Sequence, residues 1–217
     1  MKSIFSHEGV LFRITERIGN LILLNLLYLI TCIPIVTIGP ATAALHYVTL
    51  KYAANEEDRV WEPFMHSFKQ NLKQGILVGL ITTFVGVGLA FSMYYIYQMV
   101  SAGLALDKVV MVIVSLTCIL YLMANAYIYP LLARYENSIK QMLRTALLLA
   151  IRHLPATVCL GIISGAPILM LMYTPVTFMI ALSFYFFIGF SAIAFLQDKL
   201  VVRIFWQYTP RETTIEE

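Results

Sequence analysis

The chain of 217 residues carries 15 Lys and Arg against 12 Asp and Glu, is 60% hydrophobic and only 12% charged, and has a mean hydropathy of +0.80. A water-soluble domain has roughly 25% charged residues, so this composition excludes one and points to an all-α, polytopic protein whose main partner is the lipid bilayer. A net charge of +3 with no aromatic-basic stripe excludes nucleic acid as a partner.

Crossing the hydrocarbon core takes about 20 apolar residues. Reading in chain order, the first run is 18–38, followed by a shorter apolar stretch at 41–54 beyond Gly39-Pro40. Proline lacks the amide donor and disfavours a helical residue before it, so Gly39 and Pro40 are expected to form the topology turn, with 41–54 a short return or re-entrant helix. Ala41, Thr42, Ala43 and Ala44 suit close backbone approach, which points to a helix packed on protein rather than lipid. Ala41-Thr42-Ala43 also has the form of a signal-peptidase site. The preceding apolar run is too long for a signal peptide, however, and is interrupted by Pro34.

In 60–73, Trp61, Phe64, Phe68 and Leu72 share one helical face while Lys69 and Lys73 lie off it, the pattern of a helix in the membrane interface. Acidic Glu56, Glu57, Asp58 and Glu62 precede or open this helix and the lysines close it, as its dipole favours. Spans two and three follow at 75–98 and 109–130. A second interfacial helix is expected at 132–152, with Tyr135, Ile139, Met142, Leu143 and Ala146 as its apolar stripe and Lys140 and Arg144 off it. Spans four and five occupy 156–174 and 176–196, and 198–217 reads as a cytoplasmic tail. The five spans contain no Asp, Glu, Lys or Arg. The whole chain, 1–217, is expected to be a single membrane domain.

Basic residues near span ends accumulate on the cytoplasmic side. They cluster before span one, between spans one and two, between spans three and four, and after span five; among Lys and Arg only Lys108 falls elsewhere. Five crossings alone would put the first two clusters on opposite faces. A return helix at 41–54 removes the conflict and leaves both termini cytoplasmic. Ser67-Phe68-Lys69-Gln70-Asn71-Leu72-Lys73 also aligns with Ser138-Ile139-Lys140-Gln141-Met142-Leu143-Arg144, which suggests two parallel units, each an elbow helix followed by two crossings, or convergent interface chemistry.

Three stretches carry a family resemblance: Ile33-Pro34-Ile35-Val36-Thr37-Ile38-Gly39-Pro40 preceded by Cys32, the segment Trp61–Asn71, and Tyr129–Ala150. Together they resemble the YesL family of small bacterial membrane proteins, a domain of unknown function, over residues 5 to 200. The resemblance implies a place in the bacterial cytoplasmic membrane and an association with carbohydrate uptake, with a sugar ABC importer permease as a possible partner. It implies no catalytic residue.

No enzyme signature is present. Cys32, Cys118 and Cys159 lack CxxC spacing, the histidines His7, His46, His66 and His153 are scattered, and no zinc, nucleophile-elbow or phosphate-loop motif occurs, so no cofactor or metal is expected. Asn25, His46, Tyr47 and Asn125, with Tyr28, Tyr127 and Tyr129, either line a polar path or bond between helices and form interfacial belts. Gly75-x-x-x-Gly79 and Gly161-x-x-x-Gly165 read as close-packing sites. The expected function is therefore a non-enzymatic accessory of sugar import. Its candidate interaction surface is Trp61, Phe64, Phe68, Lys69, Lys73, Lys140 and Arg144, and a stand-alone solute transporter is the alternative.

Overall fold

A proline-free apolar run carries helix α1 from Phe5 to Thr31 in a computed structural model, which describes residues 5–56, 59–101, 105–135, 138–170 and 174–208. Pro34 then ends regular helix. The Thr37 hydroxyl donates to the carbonyls of Thr31 and Pro34, each at 2.6 Å, and so closes the end of α1. After one 3-10 turn, Ile35–Thr37, helix α2 runs from Ile38 to Ala54.

The reversal thus lies at Cys32–Thr37, ahead of the expected Gly39-Pro40 turn, and the span expected to reach Ile38 stops at Thr31. Pro40 instead sits in the first turn of α2, where a missing amide leaves no bond unmade. Gly39 serves close packing: a Cβ there would lie 2.9 Å from the Gly75 carbonyl carbon and 3.1 Å from Gly79 Cα. The small-residue pair of α4 therefore has its partner within the chain.

Helix α2 returns the chain alongside the middle of α1, since Arg17 Nη2 donates to Asn55 Oδ1 at 2.7 Å. Asn55 adopts the left-handed conformation, φ 57°, that terminates α2. At 17 residues, α2 is about 26 Å long. It is buried on nearly every side, with Ala41, Ala43 and Ala44 wholly enclosed, and it touches α1, α3, α4, α5 and α9. The expectation of a helix packed on protein matches this position.

The remaining elements are α3 (Trp61–Gln70), α4 (Leu72–Ser101), α5 (Ala105–Arg134), α6 (Ile139–Arg152), α7 (Leu154–Met170), α8 (Pro175–Phe184) and α9 (Phe190–Tyr208). Ser138 caps α6, its hydroxyl accepting the Gln141 amide. Thr174 and Thr177 form a reciprocal capping box at the start of α8. A π turn, Tyr185–Gly189, joins α8 to α9. There is no strand among the described residues, and the fold is all-α.

Among the described residues, three helices are long and apolar enough to cross a membrane: Leu72–Met99, Val109–Arg134 and Pro175–Tyr208. A fourth traverse is added if α6 and α7, bent by 103°, act as one broken span. The protein is therefore a multi-pass helical membrane bundle. The outward faces of the spans suit lipid, with Phe84, Phe91 and Val112 among their exposed side chains.

Several boundaries differ from the sequence reading. Residues 132–134 complete α5, so the second amphipathic helix begins at Ile139 rather than 132. Residues 198–208, assigned to a tail, extend the last helix; 209–217 lie outside the described residues, as do Glu57 and Asp58 of the acidic run. The aligned heptapeptides occupy different ends of their helices. Residues 67–73 straddle the α3–α4 break at Asn71, whereas 138–144 open α6, so their match does not mark equivalent positions.

Both amphipathic helices lay their apolar faces on the bundle. Phe64, expected at an interaction surface, is fully enclosed among Leu24, Ala44, Val48 and Val60, because α3 has the side of α2 to pack against. Met142, Ala146 and Leu149 of α6 join Leu131, Val201 and Phe205 in a second cluster. Trp61, Lys69, Lys73, Lys140 and Arg144 remain exposed, and Phe68 is half-buried beside Phe64.

Candidate functional site

Helix α9 buries one stripe, Ser191, Ala194, Asp198, Val201, Val202 and Phe205, at three- and four-residue intervals. One member of that stripe is a carboxylate. Asp198 has no exposed surface, and a buried carboxylate is tolerated only with hydrogen-bond partners. The central helix supplies them. His46 Nδ1 lies 3.0 Å from both Oδ1 and Oδ2 of Asp198, and the Thr49 hydroxyl donates to Oδ2. An ionised carboxylate only accepts, so the contact to its oxygens requires the Nδ1–H form of the imidazole.

Thr49 also reaches back to the Leu45 carbonyl at 2.9 Å, the i−4 bond expected of a threonine within a helix. His46 and Thr49 are three residues apart and so share one face of α2. The cluster joins the central helix to the last helix across 152 residues of sequence. The arrangement holds the two helices together through buried polar contacts.

Asn25 anchors a second junction. Its side-chain amide donates to the carbonyls of Tyr185 at 3.0 Å and Phe186 at 2.8 Å, while its Oδ1 accepts the Ser191 amide at 3.2 Å. A π turn displaces backbone groups from their regular partners, and Asn25 occupies the displaced positions from α1. Ser191 completes the junction by donating its hydroxyl to the Leu21 carbonyl at 2.7 Å.

The other candidate polar residues go elsewhere. Tyr47 lines a polar cavity of about 250 Å³ between α2, α3 and the end of α5, together with His66, Gln70, Asn71, Arg134 and Tyr135. Lys51 lies over its ring at 4.8 Å. Asn125 donates to the Tyr121 carbonyl one turn back on its own helix. Tyr28 pairs with Thr42, Tyr127 with Thr157, and Tyr129 with Thr82. The structure thus distributes Asn25, His46, Tyr47 and Asn125 among four separate environments.

Asp198 was missed because the fifth span was ended at Leu196, where uninterrupted hydropathy stops. The available signal was the apolar stripe continuing through Val201, Val202 and Phe205, on which Asp198 falls three, four and seven residues earlier. The expectation of no carboxylate within a span is corrected accordingly: the continuous helix Pro175–Tyr208 includes Asp198. Among the described residues no group of three or more His, Cys, Asp or Glu has the arrangement of a metal site.

Residues 21–93 match the family model described as "Protein of unknown function, DUF624". The DUF624 match covers the C-terminal part of α1 from Leu21, the Cys32–Thr37 break, α2, α3 and most of α4. It thus includes Asn25, Gly39, His46, Thr49, Gly75 and Gly79, but not Asp198. No curated protein and no solved structure matches the chain.

Proposed function

We propose that this chain is a non-enzymatic accessory protein of carbohydrate uptake in the bacterial cytoplasmic membrane, working beside a sugar ABC importer. The resemblance of Ile33–Pro40, Trp61–Asn71 and Tyr129–Ala150 to the YesL family supplies the importer and the sugar. One structural observation supports a packing role. Asn25, His46 and Asp198 spend their polar atoms joining α1 and α2 to the last helix rather than facing a shared cavity. Polar side chains used this way fix helix positions and leave the outer apolar faces for lipid or a neighbouring permease.

In this reading the exposed cations Lys69, Lys73, Lys140 and Arg144 face the cytosol, where they meet anionic headgroups or the importer's cytosolic parts. Affinity purification of the tagged full-length chain in mild detergent tests the proposal. Recovery of importer subunits is expected, and their absence from every preparation would overturn it.

The buried His46–Asp198 pair favours one second reading, a stand-alone small-solute transporter, because intramembrane ionisable pairs serve proton-linked carriers. Solute uptake by vesicles containing this protein alone, lost in Asp198→Asn, would select that reading over the accessory role.

A further inference from the structure

Two long apolar helices end beside one another. Helix α5 terminates its candidate span at Arg134, and the last helix terminates at Tyr208. Between their ends, roofed by α6, lies a cavity of about 360 Å³ with Leu131, Leu148, Leu149 and Phe205 among its walls and Arg152 and Tyr208 at its polar part. Its size falls within the range of small-molecule sites. Leu131 and Phe205 are buried, whereas Leu148, 58% exposed, places part of the cavity wall at the outer surface of the bundle.

Among the described residues that line the cavity, Arg152 is the one charged group. The Arg152 guanidinium sits 5.3 Å from the centre of the Tyr208 ring. His153 Nε2 lies 2.8 Å from the Tyr208 hydroxyl, and Arg134 stands 5.7 Å from the Phe205 ring. No acidic side chain lines the cavity among the described residues. Span ends mark the depth of the headgroups, so apolar walls and cationic groups stand in the order in which a lipid presents its chain and its phosphate.

We propose that this cavity is a binding site for one anionic phospholipid. Its acyl chain lies between Leu148, Leu149 and Phe205, and its phosphate is held by Arg152 and the Tyr208 hydroxyl. Guanidinium binds a phosphate through two parallel hydrogen bonds, which favours a singly anionic lipid over one whose own ammonium competes for the phosphate. The proposal is independent of any importer.

Native mass spectrometry of the full-length protein released from nanodiscs containing phosphatidylglycerol and phosphatidylethanolamine tests it. Wild-type protein is expected to retain one phosphatidylglycerol per chain in preference to phosphatidylethanolamine. Losing a charged hydrogen bond in Arg152→Gln should weaken that retention about tenfold. Leu148→Trp, which fills the cavity from an exposed position, should weaken it too, while Arg203→Gln, an exposed arginine of α9 away from the cavity, should not. Equal retention in wild type and both cavity variants, or no preference between the two lipids, overturns the site. Displacement by oleate would instead assign it to a fatty acid, and displacement by inorganic phosphate would reduce it to an anion site.

Discussion

His46 and Asp198, 152 residues apart, meet in the enclosed centre of the bundle with the imidazole Nδ1 3.0 Å from both carboxylate oxygens. Removing one member of a buried hydrogen-bonded pair leaves the polar atoms of the other unsatisfied, at a cost of about 1–3 kcal/mol, whereas replacing both by apolar groups costs much less. Asp198→Ala should therefore destabilise the protein strongly, and the His46→Leu/Asp198→Leu double variant should fall well short of the sum of its single changes. Thermal unfolding in detergent across the four-member cycle measures the coupling. Strict additivity would show that the pair does not hold α2 to α9.

Asn25 satisfies three backbone groups around the π turn from a neighbouring helix. Asn25→Leu keeps the volume but removes the partner of the part-buried Tyr185 and Phe186 carbonyls and of the buried Ser191 amide, the last of which costs about 1–3 kcal/mol to leave unmade. Faster hydrogen exchange at Ser191 and its neighbours is the expected readout, together with a lower unfolding temperature. Unchanged exchange there would mean that the π turn does not depend on α1.

Gly75 lets the start of α2 lie directly on α4. A Cβ at Gly75 would sit 2.7 Å from Pro40 Cα, against backbone that has no room to move, while a Cβ at Gly161 would meet nothing within 4 Å. Gly75→Ala should cost about 1–3 kcal/mol through overpacking. Gly161→Ala should be neutral or gain up to about 1 kcal/mol from better helix propensity. Parallel melting curves distinguish the two, and equal effects would remove the assigned role of the Gly39–Gly75 contact.

Much of this architecture was legible before any coordinates. The charge-free runs at 75–98, 109–130 and 176–196 coincide with helices able to cross a membrane, because lipid tolerates little else, whereas 18–38 and 156–174 do not form such helices by themselves among the described residues; the alanines at 41, 43 and 44 mark α2 as a helix packed on protein. The turn was placed late because proline was read as a breaker at Pro40, although Pro34 already ends the helix and Pro40 occupies a first-turn position where it is harmless. Phe64 was misplaced because an amphipathic pattern identifies a face but not what covers it; here α2 covers it, not lipid. The His46–Asp198 pairing could not be read at all, since periodicity places each residue on a stripe and only the fold decides which stripes meet.

The last prediction concerns sidedness. Arg17 bonds Asn55, which brings the middle of α1, just before its apolar half, to the end of α2. His66 of α3 and Arg134 of α5 line one cavity, so the α4–α5 hairpin returns to that same end of the bundle. His153 then contacts Tyr208, so the hairpin of α7 with α8 and α9 also returns there. Arg17, Arg134 and Arg152 accordingly gather at one end, and the positive-inside tendency predicts that this end faces the cytosol. In a background with Cys32, Cys118 and Cys159 replaced by serine, single cysteines at Arg17, Lys69 and Lys140 should react with an impermeant maleimide only after the membrane is opened. A cysteine at Thr174, the exposed cap at the opposite end of the last helix, should react in intact cells. Labelling of Arg17→Cys and Lys140→Cys from opposite faces would break the even number of traverses that the Arg17–Asn55 contact and the cavity shared by His66 and Arg134 together require.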